Sequence, residues 1–296
     1  MPPERRRVLA YLALLVAATL FGATFVVIKR AVTLLPPLAF VGWRFWIGAI
    51  ALCALAVPRG RSLWRDGMIA GTLWFAGYAL QTEGLALTSA ANSGLITGLY
   101  VVFTPLIAAV VARTRLSGWA VSGTGVAFVG LALLTIRDGV RFDAGDLLTV
   151  GCAVAFAIHI VVLSRVAVRH PVIPFTAVQL LVTAVLATSL SWITEGLPMP
   201  TADVLPALLL TGLVVTAGAF LMQVWSQTVI GPARTAVILT FEPVSATLLA
   251  ALLLAERLDA KQWVGAGLIL AGIYLVLART NEMDTIPAAE AITPAH

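Results

Sequence analysis

Charge is what this sequence has least of. Asp, Glu, Lys and Arg make up 11% of the 296 residues, where a soluble domain carries about 25%. Nineteen basic and fourteen acidic side chains cannot cover a globule of 31.1 kDa. A water-soluble enzyme is therefore nearly excluded, and 60% hydrophobic residues exclude a disordered chain as well. Cysteine is also scarce. Cys53 and Cys152 both fall inside apolar runs, with no disulfide framework and no metal-ligand spacing. They read as small buried hydrophobes, and neither a metal nor a cofactor is expected. No Ser-His-Asp set, HExxH, P-loop or carboxylate pair is present, and the GxG steps follow no strand, so the chain is read as no enzyme and no nucleotide binder. The net charge of +5 and pI near 9.8 come from arginines in short runs between apolar stretches. That placement suits orientation in a membrane, not nucleic-acid binding.

What is there is apolar length. Mean hydropathy is +1.00. A bilayer core of about 30 Å takes about 20 apolar residues as a helix, and in lipid a helix satisfies its own backbone. Ten runs qualify, at approximately Val8–Ile28, Leu38–Val57, Gly67–Leu87, Ser93–Ala112, Ser117–Ile136, Asp146–Ser164, Val172–Thr194, Val204–Ser226, Ala233–Ala255 and Lys261–Ala278. The first run has 21 residues, too long for the roughly 7–15 of a signal-peptide core, so it reads as a retained span. Short connections with turn residues join the runs, for example Leu34-Leu35-Pro36-Pro37 and Ile230-Gly231-Pro232. With the N-terminus in the cytoplasm, twelve Lys and Arg fall on inside segments and six on outside ones, with Arg44 left within a span. Both termini are therefore expected in the cytoplasm of a bacterial-type inner membrane.

The two halves repeat. At an offset of 142, Gly123, Gly125 and Gly130 fall on Gly265, Gly267 and Gly272, Arg115-Leu116 on Arg257-Leu258, and Gln81 on Gln223. At an offset of 135, Phe21, Val26, Val27 and Arg30 fall on Phe156, Val161, Val162 and Arg165. A repeat of five spans is odd in number, so the second copy must enter the membrane upside down. Inverted repeats are a device of secondary transporters. The fold expected is an all-α polytopic membrane protein, ten transmembrane helices as two inverted five-helix repeats around a central cavity. Residues 1–7 form a cytoplasmic N-terminus, 8–136 and 146–278 the repeats, and 279–296 a polar, Ala-rich cytoplasmic tail.

Several segments carry a family resemblance: GATFVVIKR (Gly22–Arg30), FVGWR (Phe40–Arg44), YALQTEGLALTSAANSGLITGLYVVFTPLIA (Tyr78–Ala108) and Leu239–Val276 with Pro243, Glu256 and the span-10 glycines. Over about residues 11–136 and 147–278 the chain resembles EamA-type proteins of the drug/metabolite transporter superfamily. Thr114 stands where that family often has Glu before Arg-Leu, and Glu256 keeps it in the second half. The resemblance implies ten helices, cytoplasmic termini, a cavity between the halves and export of small metabolites or drugs.

Intramembrane ionisable groups cost roughly 2.5–3.5 kcal/mol each on insertion scales, which makes them functional candidates. Arg44 can pair a substrate carboxylate bidentately, or satisfy a carbonyl or helix end. Glu242, directly before Pro243, can take a proton or a cationic group, or make an interhelical hydrogen bond. His159 is a proton-relay candidate or a satisfied core histidine. Glu83, Lys29 and Arg30 lie near span ends and read as reaching interfacial water. Polar and aromatic stripes recur at helical spacing: Trp74, Tyr78 and Gln81; Thr97, Tyr100 and Thr104; Thr216, Phe220, Gln223 and Gln227. They face protein or a water-filled cavity, lining a solute site or packing helix on helix. Pro105 and Pro243 are expected to break spans 4 and 9 as gating hinges. The six glycines let spans 5 and 10 pack on each other, or on a second subunit in a homodimer. Trp64 and Trp119 read as interfacial anchors. The leading function is a secondary transporter that exports small metabolites, amino acids first among them, by alternating access. The alternative is a multidrug efflux protein for organic cations, proton-coupled through Glu242. Either way the partners are a small solute and membrane lipid.

Overall fold

The computed structural model describes residues 3–87, 96–114, 116–135, 144–245, 248 and 259–279. Among them the chain forms ten helices and no strand: α1 (Pro3–Ala31), α2 (Pro37–Leu55), α3 (Arg61–Leu87), α4 (Tyr100–Ala112), α5 (Gly118–Thr135), α6 (Ala144–Val166), α7 (Val172–Glu195), α8 (Leu205–Gln227), α9 (Pro232–Leu239) and α10 (Ala260–Arg279). Six of these are long and apolar enough to cross a membrane, and α4 and α5 are shorter apolar helices. Large apolar side chains such as Val110, Leu147 and Ile193 lie exposed on their outer faces, as suits a surface that meets lipid. Prolines at the first turns of α2 and α9 lack the N–H that no helix start can satisfy. Gly196 ends α7 at φ +75°, and the Leu197 N–H behind it closes back onto the Ser191 carbonyl. The middle of α8, Leu210–Ala219, is wound as a π-helix, which the hydrophobic pattern did not announce.

Helix directions follow from which residues meet. Gly42 lies beside Thr188 and Gly48 beside Leu180, so α2 and α7 run in opposite senses. Gly67 and Gly71 lie beside Val178 and Val182, so α3 and α7 run the same way. Gly77 meets Phe156 and Gly84 meets Thr149, which sets α3 against α6 in opposite senses. Ser226 donates to the Ala10 carbonyl at 2.9 Å, and Ala17 packs with Val215 and Ala219, so α1 opposes α8 in the same manner. Gly48 meets Thr216, while Gly212 meets Ile47, so α2 and α8 run together. Exchanging α1 with α6, α2 with α7, and α3 with α8 leaves this set of pairings and senses unchanged.

The pair α5 and α10 packs closely along its length. A Cβ on Gly123 would stand 2.9 Å from the Gly272 carbonyl oxygen, and one on Gly130 would stand 2.6 Å from that of Gly265. Gly123 thus meets the counterpart of Gly130, and Gly130 that of Gly123, so the two sequence-related helices run antiparallel. Gly125 and Gly267 face away from this contact, with nothing within 4 Å. Two of the six glycines therefore do not serve the packing expected of them. Positions 123 and 130 are seven apart and share a face, whereas 125 points to the far side. Spans 5 and 10 thus occupy each other's close-approach face within one chain.

The proline expectation is corrected in detail. Pro105 sits buried inside a continuous α4. The loosening falls ahead of it, where Val101 and Val102 make tightened bonds to Gly98 and Leu99. In span 9, α9 ends at Leu239, Thr240 bonds back to Val237, and helix resumes over 241–245. Pro243 has no N–H for the Leu239 carbonyl, so the helix yields there. Residues 246–247 and 249–258, the rest of the expected span, lie outside the described residues, as do Ser93, Arg115 and the tail.

Two polar contacts pin the halves together at opposite ends of α7. At its C-terminal end the Glu195 carboxylate accepts from the backbone N–H of Leu38 (3.1 Å) and Ala39 (2.8 Å), and from Ser191 (2.8 Å). It thereby caps α2, whose own cap residue, Pro36, has no side-chain donor or acceptor. At the other end His170, stacked on Phe175, lies 2.8 Å from the buried Asp66 just ahead of the span-3 apolar run. Burial raises the Asp66 carboxyl, but hydrogen bonds from His170 and Arg65 and the positive charge beside it outweigh that and hold it below its ordinary value.

Candidate solute-binding site

Between the halves, α1, α2, α3, α6 and α8 each contribute an aromatic ring to one cluster. Phe45 stands edge-on to Tyr78 at 5.5 Å between ring centres and to Trp74 at 6.4 Å. Tyr78 meets Phe156 at 5.6 Å, and Phe220 touches Phe21, Phe45 and Trp74. The spacing Trp74, Tyr78, Gln81 places all three on one face of α3, as expected. Edge-to-face rings hold such a wall rigid at modest energy per pair.

Arg44 enters this wall from α2, and only 4% of it is exposed. Its Nη2 donates to the Tyr78 hydroxyl at 3.2 Å. Its guanidinium carbon lies 5.2 Å from the Phe45 ring centre and 5.4 Å from that of Tyr78, within cation–π range. Its Nε–H is buried and has no acceptor. Among the described residues no carboxylate pairs with it; Asp66 is the carboxylate that pairs, with Arg65 and His170. A buried guanidinium without a counterion is costly, because desolvation is then uncompensated.

Glu242 approaches from the stretch after α9. It is half-buried, and its carboxylate lies within electrostatic reach of the Tyr78 and Tyr100 hydroxyls. Its backbone carbonyl accepts from Ser245 at 2.8 Å, but no described donor satisfies its side chain. The structure therefore brings Arg44, Tyr78, Tyr100 and Glu242 into one neighbourhood, in which Arg44 and Glu242 make no ion pair.

The other candidates divide. Gln81 donates to Thr97 at 3.3 Å, and Thr97 lies 4.0 Å from Cys152. Thr104 turns back onto the Tyr100 carbonyl (2.7 Å) and offers the site nothing. His159 is buried, its ring 4.5 Å from that of Trp74. Gln179 donates to the Phe175 carbonyl at 3.4 Å, so its carbonyl end faces His159 Nε2 at 3.2 Å, and that nitrogen carries the proton. Histidine thus has the partner that its apolar helix did not reveal, because Gln179 stands on another helix. Gln223 is buried in α8, and Gln227 is buried with neither amide atom satisfied, as is the Thr216 hydroxyl. Glu83 is exposed, and the side chains of Lys29 and Arg30 lie outside those described. Phe45, Phe156 and Gln179 were missed; Phe45 adjoins Arg44 in sequence, but no local pattern distinguished it from a lipid-facing ring.

An all-helical, multi-pass membrane protein with a polar centre between two related halves is the class that these features define. Residues 8–136 and 143–278 each match the EamA-like transporter family. An "uncharacterized transporter" of Archaeoglobus fulgidus is 33% identical over 275 residues, covering 93% of this chain and 87% of its own. "Uncharacterized transporter YwfM" of Bacillus subtilis is 28% identical and covers 94% of this chain and 97% of its own. A solved crystal structure, 23% identical, superposes over 91% of this chain and 96% of its own with a TM-score of 0.78, which shows the shared fold. The chain belongs to the EamA-like transporter family. It is a membrane transporter and not an enzyme.

Proposed function

We propose that this transporter exports small metabolites, amino acids first among them, across a bacterial-type inner membrane. Ten helices cross the membrane as two inverted five-helix repeats, with both termini in the cytoplasm. What supports inversion is the antiparallel packing of α5 on α10 through equivalent glycines. A repeat that meets its own copy in the opposite sense is related to it by a two-fold axis across the helices. Exchange of the two repeats' conformations then opens the pathway alternately to each side. Pro243, one turn past a tightened step, serves as the hinge.

The single observation that carries solute transport is the set of six buried polar atoms left without partners among the described residues: Arg44 Nε, Thr216 Oγ1, both amide atoms of Gln227, Thr124 Oγ1 and Arg165 Nε. Such atoms are rare in a finished core, and four of the six lie on α2 and α8, which pack on each other from opposite halves. A passing solute and its water satisfy them in turn. Counterflow of labelled amino acids in liposomes holding the purified protein tests the reading. Saturable exchange, absent from empty liposomes, supports it; exchange of lipophilic cations alone would favour the multidrug alternative.

A further inference from the structure

We propose that Arg44 and Glu242 form a two-ended receptor for a zwitterion, with the solute's carboxylate on Arg44 and its ammonium on Glu242. The inference rests on the transporter reading and names how that site selects its solute. Arg44 is a permanent cation, 4% exposed, with its Nε–H aimed at no acceptor. It needs an anion, and among the described residues none supplies one. The planar fork of Nε and Nη groups matches the two oxygens of a carboxylate.

Glu242 presents the opposite need. Its half-buried side chain has no donor among the described residues, and the Phe241 and Val244 that flank it pack in one cluster with Tyr100 and with Phe21, whose ring meets Phe220 in the wall beside Arg44. Arg44 and Glu242 make no ion pair with each other. A solute that carries an ammonium and a carboxylate on one carbon neutralises both ends at once. A lone cation would leave Arg44 unpaired, and a lone anion would leave Glu242 unpaired. The tilted and edge-on rings of Phe45, Trp74 and Phe220 beside Arg44 offer apolar surface for the rest of the solute.

Three probes of one shape separate the charges: phenylalanine, phenethylamine without the carboxylate, and 3-phenylpropanoate without the ammonium. Binding to the purified full-length protein is measured by calorimetry, and transport by counterflow in liposomes. The proposal expects phenylalanine to bind at least tenfold more tightly than either fragment, the worth of one charge-assisted hydrogen-bonded contact. Glu242→Gln is expected to improve 3-phenylpropanoate relative to phenylalanine by tenfold or more, and Arg44→Gln to do the same for phenethylamine. Those gains require folded protein, so a mere loss of structure cannot imitate them. Equal binding of the three probes, or a Glu242→Gln variant that keeps the wild-type preference, would overturn the receptor while transport stands. Zwitterion binding with no counterflow of any probe would leave the receptor and overturn the transporter reading.

Discussion

Gly130→Ala tests the helix pair on which the two-fold arrangement depends. The added Cβ would stand 2.6 Å from the Gly265 oxygen and 2.7 Å from the Ile269 nitrogen. Both are backbone atoms and cannot swing aside as a side-chain end does. Restoring ordinary contact, which begins at 3.4 Å, requires α5 and α10 to part by about 0.8 Å. Overpacking of this kind costs about 1–3 kcal/mol, and about 2–4 °C of midpoint is lost per kcal/mol in chains of 150–250 residues. Gly125→Ala and Gly267→Ala are the controls, because a Cβ at either site meets nothing within 4 Å. They should hold the midpoint or raise it slightly, since alanine is the better helix former. Thermal aggregation of detergent-purified protein, followed by size exclusion, reads all three. A Gly130→Ala midpoint equal to that of Gly125→Ala would refute the packing argument.

Asp66→Asn should flatten the dependence of stability on acid. The Asp66 carboxyl is held below its ordinary value, so its contribution is present above that value and fades as pH falls through it toward the lowered one. Melting between pH 6 and pH 3 should therefore drop more steeply in the wild type, and parallel curves would contradict this. Glu195→Ala leaves the Leu38 and Ala39 N–H groups at the start of α2 without acceptors, at about 1–3 kcal/mol; an unchanged melting midpoint would show that water replaces the cap freely. Pro243→Ala should slow counterflow more than it lowers the yield of folded protein, and an unchanged rate would remove the hinge.

The fold was legible because its signals are local. Ten apolar runs, turn residues between them and a three-glycine register at one offset need no knowledge of packing. The helix ends differ from expectation mainly where polar residues extend a helix past its apolar core, as Pro3–Arg7 do for α1 and Arg61–Asp66 for α3. The site was half legible. Arg44, Tyr78 and Glu242 stood out by charge and spacing, and the structure brings them together. The two pins were not legible. His170 and Asp66 lie 104 residues apart, and Glu195 caps a helix 157 residues before it. Only the antiparallel meeting of α2 and α7, and the parallel one of α3 and α7, places them in contact. Gln179, the partner of His159, was hidden for the same reason, inside an apolar span of its own.

The inverted arrangement is tested most directly by side-specific labelling. Arg59, between α2 and α3, and Thr201, between α7 and α8, are equivalent positions at the repeat offset of 142. Each is replaced by cysteine in a chain freed of Cys53 and Cys152, and intact cells are exposed to a membrane-impermeant maleimide. The account predicts labelling at position 201 and none at position 59 until the cells are opened. Equal labelling of both from the outside would place the two units the same way up and contradict the account.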